Sequence, residues 1–388
     1  MTQAILPGAT LGVLGGGQLG RMFAIAARRL GYGIHVYAPE GYSPAGQIAD
    51  REWSGAWNDF ARLKEFARRV QVVTLEFENV PVETLRVLEE FTLVRPGPTV
   101  LEVAQNRLRE KTALRDCGLP TADFIAVHSL DHLRTGLQSF GNLGILKTTS
   151  WGYDGKGQRD VTAADDLAEI WSLFEKGEAI LEQRVDFEFE LSVIAARNPA
   201  GDIACYDPIL NRHSHHILDV SIAGAAEITP VIAAQAKEIA LTVMTCLNVV
   251  GVLCVELFFT RDGRLLVNEI APRPHNSGHL TIDAHITSQF EQQVRAVCGL
   301  PLGSTELRQP AAMANLLGDL WPSRGNLDWE AGLRQPGMKL HLYGKEVARP
   351  GRKMGHLTCL AKESLHAETT VRQVRDALHR MNGKSTSH

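Results

Sequence analysis

Glu256 and Glu269 lie in two apolar runs, 252–260 and 265–270, separated by Arg261-Asp262-Gly263-Arg264. An Asp-Gly pair between apolar runs predicts a β-hairpin with a two-residue turn, because both central residues must adopt φ > 0. With Asp262 and Gly263 as that turn, Arg261 faces Arg264 and, counting outward, Glu256 faces Glu269. Carboxylates directly opposed on one face of a sheet repel. Among Val, Leu, Phe and Ile they need a cation between them. The simplest cation for this geometry is Mg²⁺, which binds one or two protein carboxylates together with phosphate oxygens. The pair therefore points to a nucleoside triphosphate.

Other stretches fit phosphate chemistry. Gly15-x-Gly17-x-x-Gly20 follows a short apolar strand and opens a helical pattern, which matches the dinucleotide fingerprint, with Glu40 downstream. Physically the motif offers backbone N–H groups at a helix N-terminus to a phosphate or another anion. Gln18 adds a side-chain donor and acceptor. A second glycine-rich loop, Gly152-Tyr153-Asp154-Gly155-Lys156-Gly157-Gln158, lacks Walker A spacing but suits a mobile cover over phosphates, with Lys147 on the strand before it. Glu182-Gln183-Arg184-Val185 ends a strand, where backbone groups can read an adenine edge and Val185 can pack on its ring. Glu190 could accept from ribose hydroxyls. His213, His215 and His216 lack zinc-site spacing, so polar ligand contact or plain surface fits them better. The run 268–279, NEIAPRPHNSGH, crowds polar and chargeable side chains after the second hairpin strand, stiffened by two prolines. Lys345, Arg349, Arg352 and Lys353 form a basic cluster suited to clamping the phosphate of a second substrate.

The elements that must position these groups are legible in outline. Strands at 11–14 and 34–37 flank a helix at 21–30, a βαβ opening that fixes an α/β first domain with a parallel sheet. A strand at 72–75 ends in Glu76-Phe77-Glu78-Asn79-Val80-Pro81. A helix at 106–117 stops at Gly118 and Pro120. A smaller unit follows, then a third region with a helix at 231–247, the carboxylate hairpin, short strands near 341–343 and a last helix at 370–381. The expected division is 1–105, 106–187 and 188–388.

Composition bounds the function. The chain has 388 residues, 44% hydrophobic and 22% charged, with a net charge of −4, which argues against a nucleic-acid binder driven by bulk charge. No apolar run is long enough to span a bilayer and the N-terminus lacks a secretory pattern, so a cytoplasmic enzyme is expected. The six cysteines are scattered without a Cys-x-x-Cys, and read as small buried hydrophobes in a reducing compartment rather than as disulfides or zinc ligands.

Taken together, GGGQLGRM (15–22), EFENVP (76–81), GYDGKGQ (152–158), NEIAPRPHNSGH (268–279) and GRKMGH (351–356) resemble the ATP-grasp superfamily, and within it the N5-carboxyaminoimidazole ribonucleotide synthases. The resemblance covers nearly the whole chain. It implies an ATP-grasp fold of α/β and α+β character with three domains: a Rossmann-like parallel sheet, a small lid domain and a mixed α+β C-terminal domain. It implies ATP, Mg²⁺ and bicarbonate acting on 5-aminoimidazole ribonucleotide (AIR), with carboxyphosphate on the path and ADP and phosphate released. A homodimer is implied, without nucleic-acid or membrane partners.

The resemblance also carries roles residue by residue. Arg107 and Lys147 match phosphate contacts, and Gly152, Tyr153, Asp154, Gly155, Lys156, Gly157 and Gln158 match the lid loop. Glu182, Gln183, Arg184, Val185, Glu190 and His213 match nucleotide contacts. Glu256 and Glu269 match metal ligands, with Asn268 beside them. Gln18, Leu19, Glu76, Tyr153, Asp154, Lys156, His275, Lys345 and Arg352 match the ribonucleotide site. Asp154 is the candidate for the substrate amine and His275 for the carboxylation centre, with Glu76 and Asp154 as acid–base candidates. One departure stands out: Trp151 replaces a family glycine before the lid, and an arginine often found there is missing, so lid kinetics could differ. Competing readings are another ATP-grasp ligase or the formate-using transformylase, an NAD dehydrogenase, and a non-catalytic nucleotide-binding module. The carboxylate pair counts against the last two.

Overall fold

The computed structural model describes residues 3–150, 157–174, 178–322 and 327–380. Trp151, Gly152, Tyr153, Asp154, Gly155 and Lys156 lie outside the described residues.

Three sheets organise the chain. The first has five parallel strands, in the spatial order Arg51–Ser54, Gly33–Ala38, Thr10–Leu14, Val72–Leu75, Leu93–Val94. The strand order reverses between Thr10–Leu14 and Val72–Leu75, so the loops leaving these two strands meet at a topological switch point, where open α/β sheets bind ligands. The second is a four-stranded antiparallel sheet, ordered Phe124–Val127, Ala179–Gln183, Leu143–Thr148, Gln158–Thr162.

The third sheet has nine strands, all paired antiparallel, and Leu265–Ala271 forms one edge beside Gly251–Thr260 and then Phe187–Arg197. A strand edge exposes unpaired N–H and C=O groups. Here the helix Arg107–Asp116 and the segment after it cover that edge. Glu110 Oε1 accepts from the Ile270 N–H at 2.8 Å, Lys111 Nζ donates to the Val267 carbonyl at 3.3 Å, and the Val267 N–H donates to the Pro120 carbonyl at 2.8 Å. The helix is capped at its start by Asn106, whose side chain accepts from the Arg109 N–H at 2.9 Å. It ends at Gly118, whose φ of +74° no β-carbon would favour.

Behind this edge, Leu114 packs with Val243 and Met244 of the helix Pro230–Cys246 and with Val255 and Val267 in one buried cluster. Cys117 and Cys246 close a disulfide across this cluster, with their Cα atoms 6.2 Å apart. That corrects the expectation of six unpaired thiols. Sequence spacing could not reveal it, because the partners stand 129 residues apart and meet only when the two helices pack. No helix among the described residues is long and apolar enough to cross a membrane.

Candidate active site

The carboxylate hairpin departs from the expected ladder twice. Thr260 N–H donates to the Arg264 carbonyl at 2.9 Å, so the turn holds three residues, Arg261, Asp262 and Gly263, with Gly263 at φ +82°. The two-residue turn with Arg261 facing Arg264 is therefore incorrect. Asp262 binds both the Thr260 hydroxyl and Arg264 Nε, which favours the longer loop with its glycine in the left-handed region. Further along, Leu257 faces Val267 but Glu256 faces Glu269, which leaves Asn268 as an extra residue in a β-bulge. The two one-residue shifts cancel, and Glu256 and Glu269 remain cross-strand partners. The bulge also turns consecutive side chains the same way, so Asn268 and Glu269 both line the cleft.

The two glutamates have opposite electrostatics. Glu256 accepts an ion pair from His275 Nε2 at 3.0 Å. Burial opposes its charge, but His275, His213 and Arg273 overcome that and lower its pKa to about 2. Burial likewise opposes charge on His275, yet the neighbouring Cys254 and Glu256 raise it to about 10. Glu269 instead faces the open cleft, and its pKa is pushed up by enclosure and then by the Glu256 charge. Glu110 behind it rises to about 8 through burial and the Glu269 charge. Close carboxyl groups here thus disfavour one another's ionised forms.

Cations approach this end of the cleft from one side. Glu182 is almost wholly buried, and Lys147 Nζ and Lys111 Nζ lie 3.0 and 3.6 Å from its Oε2. Burial opposes the Glu182 charge, but the two ammonium groups hold its pKa below the usual carboxylate range. Arg107 Nη1 donates to the Thr148 carbonyl at 3.0 Å. Arg107, Glu110 and Lys111 sit at i, i+3 and i+4 on one helix face. That spacing could have flagged Glu110 and Lys111, which the sequence reading passed over.

At the other end of the cleft the glycine-rich loop is filled by the protein itself. Glu76 accepts from the Gly17 N–H and, at 2.9 Å, from the Gly20 N–H. These are N–H groups at the start of the helix Gln18–Arg29, an anion site by geometry. A β-carbon on Gly17 would meet Glu76 Oε1 at 2.5 Å, so only glycine admits this approach. Burial raises the Glu76 pKa despite these donors. Lys345 Nζ donates to Gln18 Oε1 and to the Lys353 carbonyl, both at 2.6 Å. Burial and Arg352 bring the Lys345 pKa down to about 8.

One cleft of about 1040 Å³ joins the two ends. Gln18, Leu19 and Glu76 line it from the first sheet, and Arg107, Lys147, Gln158, Glu182, Gln183, Arg184 and Val185 from the covering helix and second sheet. Glu190, His213, Glu256, Asn268, Glu269 and His275 line it from the third. His213 Nδ1 pairs with the Glu190 carboxylate, whereas His215 and His216 form the tight turn beside it, both at positive φ. Gly157, Lys345 and Arg352 do not line the cleft, although Lys353 does. Arg352 Nη1 donates to the Val347 carbonyl at 2.8 Å. The sequence reading also missed the fork between Arg273 and Glu78, in which Nη2 donates to Oε1 at 2.9 Å. Both residues were in quoted motifs, but nothing in their spacing links them across 195 positions.

Residues 8–105 match the ribonucleotide synthetase preATP-grasp domain, 112–290 the ATP-grasp domain and 311–370 the phosphoribosylaminoimidazole carboxylase C-terminal domain. The N5-carboxyaminoimidazole ribonucleotide synthase of Bacillus subtilis is 42% identical over 92% of this chain and 92% of its own. The chain belongs to the N5-carboxyaminoimidazole ribonucleotide synthase family. It is thus an ATP-grasp ligase of purine biosynthesis that forms N5-carboxyaminoimidazole ribonucleotide. The bifunctional purine synthesis protein purC/E of Dictyostelium discoideum is 42% identical over 91% of this chain, which spans 37% of that longer protein. A crystal structure of an ADP complex of an N5-carboxyaminoimidazole ribonucleotide synthetase superposes with a TM-score of 0.90 at 41% identity, covering 98% of this chain and all of that one. A synthase from Aspergillus clavatus, in complex with ADP and 5-aminoimidazole ribonucleotide, gives a TM-score of 0.87 at 30% identity over 96% of this chain and 99% of its own.

Proposed function

We propose that the cleft joins ATP, bicarbonate and AIR, with the nucleotide at the hairpin end and the ribonucleotide at the glycine-loop end. The observation that carries this reading is the facing pair Glu256 and Glu269, one compensated by His275 and the other left with a raised pKa. No group of three or more His, Cys, Asp or Glu among the described residues forms a metal cluster. Two carboxylates and a neighbouring amide do fit Mg²⁺ that completes its shell with phosphate oxygens. Glu256 and Glu269 would hold it, with Asn268 adjacent, and when bound it would supply charge neutralisation for phosphoryl transfer.

The chain's own groups account for the rest. Arg107 and Lys147 bring positive charge to the phosphates, with Lys147 held in place by Glu182. Glu182–Val185, Glu190 and His213 are the nucleotide contacts in this reading. The loop 152–158 is the lid, and Tyr153, Asp154 and Lys156 meet the ribonucleotide from it. Gln18, Leu19, Glu76, Lys345 and Arg352 hold the ribonucleotide from the other side, and the mobile ends of the lysine and arginine must reach inward to do so. His275, paired with Glu256, is the group assigned in this reading to the point where bicarbonate activation and amine attack would meet. Enclosing both reactants protects a hydrolysable carboxyphosphate from water. The divisions 1–105, 106–187 and 188–388, a homodimer and a cytoplasmic setting belong to the same reading.

Phosphate release from Mg-ATP, measured with and without AIR and bicarbonate, tests it. The expected result is strong stimulation that needs both additions, with the N-carboxylated product detected. An enzyme indifferent to AIR but stimulated by another amine or carboxylate would overturn it.

A further inference from the structure

Two buried histidines close the quoted motifs without a role in the cleft: His279 ends NEIAPRPHNSGH and His356 ends GRKMGH. Both are wholly inaccessible to solvent. Their ring centroids lie 5.1 Å apart, and His341 stacks on His356 at 4.4 Å. Burial first, and neighbouring positive charge second, hold both pKa values well below the usual histidine value, so the rings stack as neutral imidazoles. Nε2 of each ring has no hydrogen-bond partner among the described residues. Burying such atoms costs stability, and two apolar side chains would fill the space without that cost. Packing alone therefore does not account for them.

Their outer contacts run to the two ends of the cleft. On one side, Gln289 Nε2 lies 3.3 Å from His279 Nδ1 and donates to the His275 carbonyl at 2.7 Å, while Gln289 Oε1 accepts from the His275 N–H at 2.9 Å. The backbone of His275 is thus gripped on both its polar groups. On the other side, His356 Nδ1 lies 2.8 Å from the Tyr343 hydroxyl, and the Tyr343 ring lies under Lys345 Nζ at 5.6 Å. Tyr343 starts the loop that carries Lys345, and its N–H donates to the Met354 carbonyl at 3.0 Å.

We propose that His279, His356 and Tyr343 are positioning residues, a buried pier that sets the Lys345 loop at a fixed distance from His275. In this role the pier controls how well AIR is held without touching any reactant. It rests on the reading of Lys345 as an AIR contact. The pier predicts a defect confined to one substrate, because its far end reaches the AIR side and the hairpin is held by its own ladder.

The test is steady-state kinetics on the full-length enzyme, with KM measured separately for AIR and for ATP. Lys345→Met first checks the underlying reading, and should raise the AIR KM about thirtyfold or more. Tyr343→Phe removes one hydroxyl, and should raise the AIR KM about tenfold while the ATP KM stays within about twofold. His356→Leu should behave as Tyr343→Phe does, and His356→Asn, which keeps an acceptor near the Nδ1 position, should recover most of the loss. Thermal melting of each variant separates misfolding from mispositioning, and Tyr343→Phe is the variant least able to disturb packing. If Lys345→Met raises the AIR KM but Tyr343→Phe and His356→Leu do not, the pier is overturned and the reading of Lys345 stands. Parallel rises in both KM values also overturn it, as a general structural effect. No change in Lys345→Met overturns the reading of Lys345 and the pier with it.

Discussion

The two ends of the cleft handle their carboxylates in different ways. At the glycine loop, Glu76 receives backbone N–H groups from Gly17 and Gly20, and Lys345 stands nearby. That end is closed on itself by the protein's own donors. At the hairpin, His275 pairs with Glu256 while Glu269 faces the open cleft; its pKa is raised, as that of Glu76 is, but here the facing Glu256 charge adds to the effect of burial. The difference is what supports the proposal that Mg²⁺ binds at the hairpin end. A helix N-terminus, which by sequence looks ready for a phosphate, already holds the Glu76 carboxyl, and the strand pair, which looks like plain β-structure, presents a carboxylate to the cleft.

The strongest way to break this contrast is Glu269→Gln. Turnover should fall by about a thousandfold or more, because metal positioning and charge neutralisation are lost together. The melting temperature should hold or rise, since a like-charge repulsion is removed. Activity within about tenfold of the parent would remove Glu269 from the metal role. His275→Asn ranks next. It should lower activity by about a hundredfold, and it should destabilise the apo fold by about 2 kcal/mol, through Glu256 losing its charged partner.

Glu76→Gln probes the other end and sharpens the comparison. The AIR KM should rise about tenfold while the ATP KM stays unchanged. A larger effect on ATP would exchange the two ends. The smallest effect on catalysis is expected from Cys117→Ser, which lies behind the site. Activity should be retained at moderate temperature while stability falls by roughly 2–4 kcal/mol through the freed 129-residue separation, read by chemical denaturation with and without reductant.

The His275–Glu256 pair makes one defined contribution to the pH dependence of apo stability. His275 titrates at about 10 in the fold against 6.5 for a free histidine, so its contribution is whole below 6.5 and disappears as pH climbs toward 10. Glu256 titrates at about 2 against 4.5, so its contribution is present above 4.5 and is lost as pH falls toward 2. Stability from this pair is therefore greatest between those two free-residue values. Thermal melts of Glu256→Gln across pH should lose the acid slope and weaken the alkaline one, where Cys254 also acts on His275, and unchanged slopes would assign them to other groups.

Much of this was legible in the sequence because it is local. The βαβ opening, the helix stopped by Gly118 and the apolar runs around the hairpin follow from periodicity and turn chemistry, and the structure bears them out. The hairpin shows the limit. A two-residue turn and a regular strand gave the right carboxylate pair through two errors that cancel, since neither the three-residue loop nor the Asn268 bulge is written in apolar alternation. The spacing of Glu110 and Lys111 from Arg107 was visible, but their bonds to the strand edge, the Glu78–Arg273 fork and the disulfide were not legible, because each depends on which distant elements pack together. The switch point brings Glu76 to Gly17 for the same reason, although both motifs had been read.

The proposal that Glu256 and Glu269 hold Mg²⁺ delivered with the nucleotide is tested most directly by calorimetric titration of ATP into the enzyme, with Mg²⁺ or with EDTA. The expected result is Mg²⁺-dependent tightening of about a hundredfold in the parent enzyme that vanishes in Glu269→Gln. Equal tightening by Mg²⁺ in both proteins would contradict it.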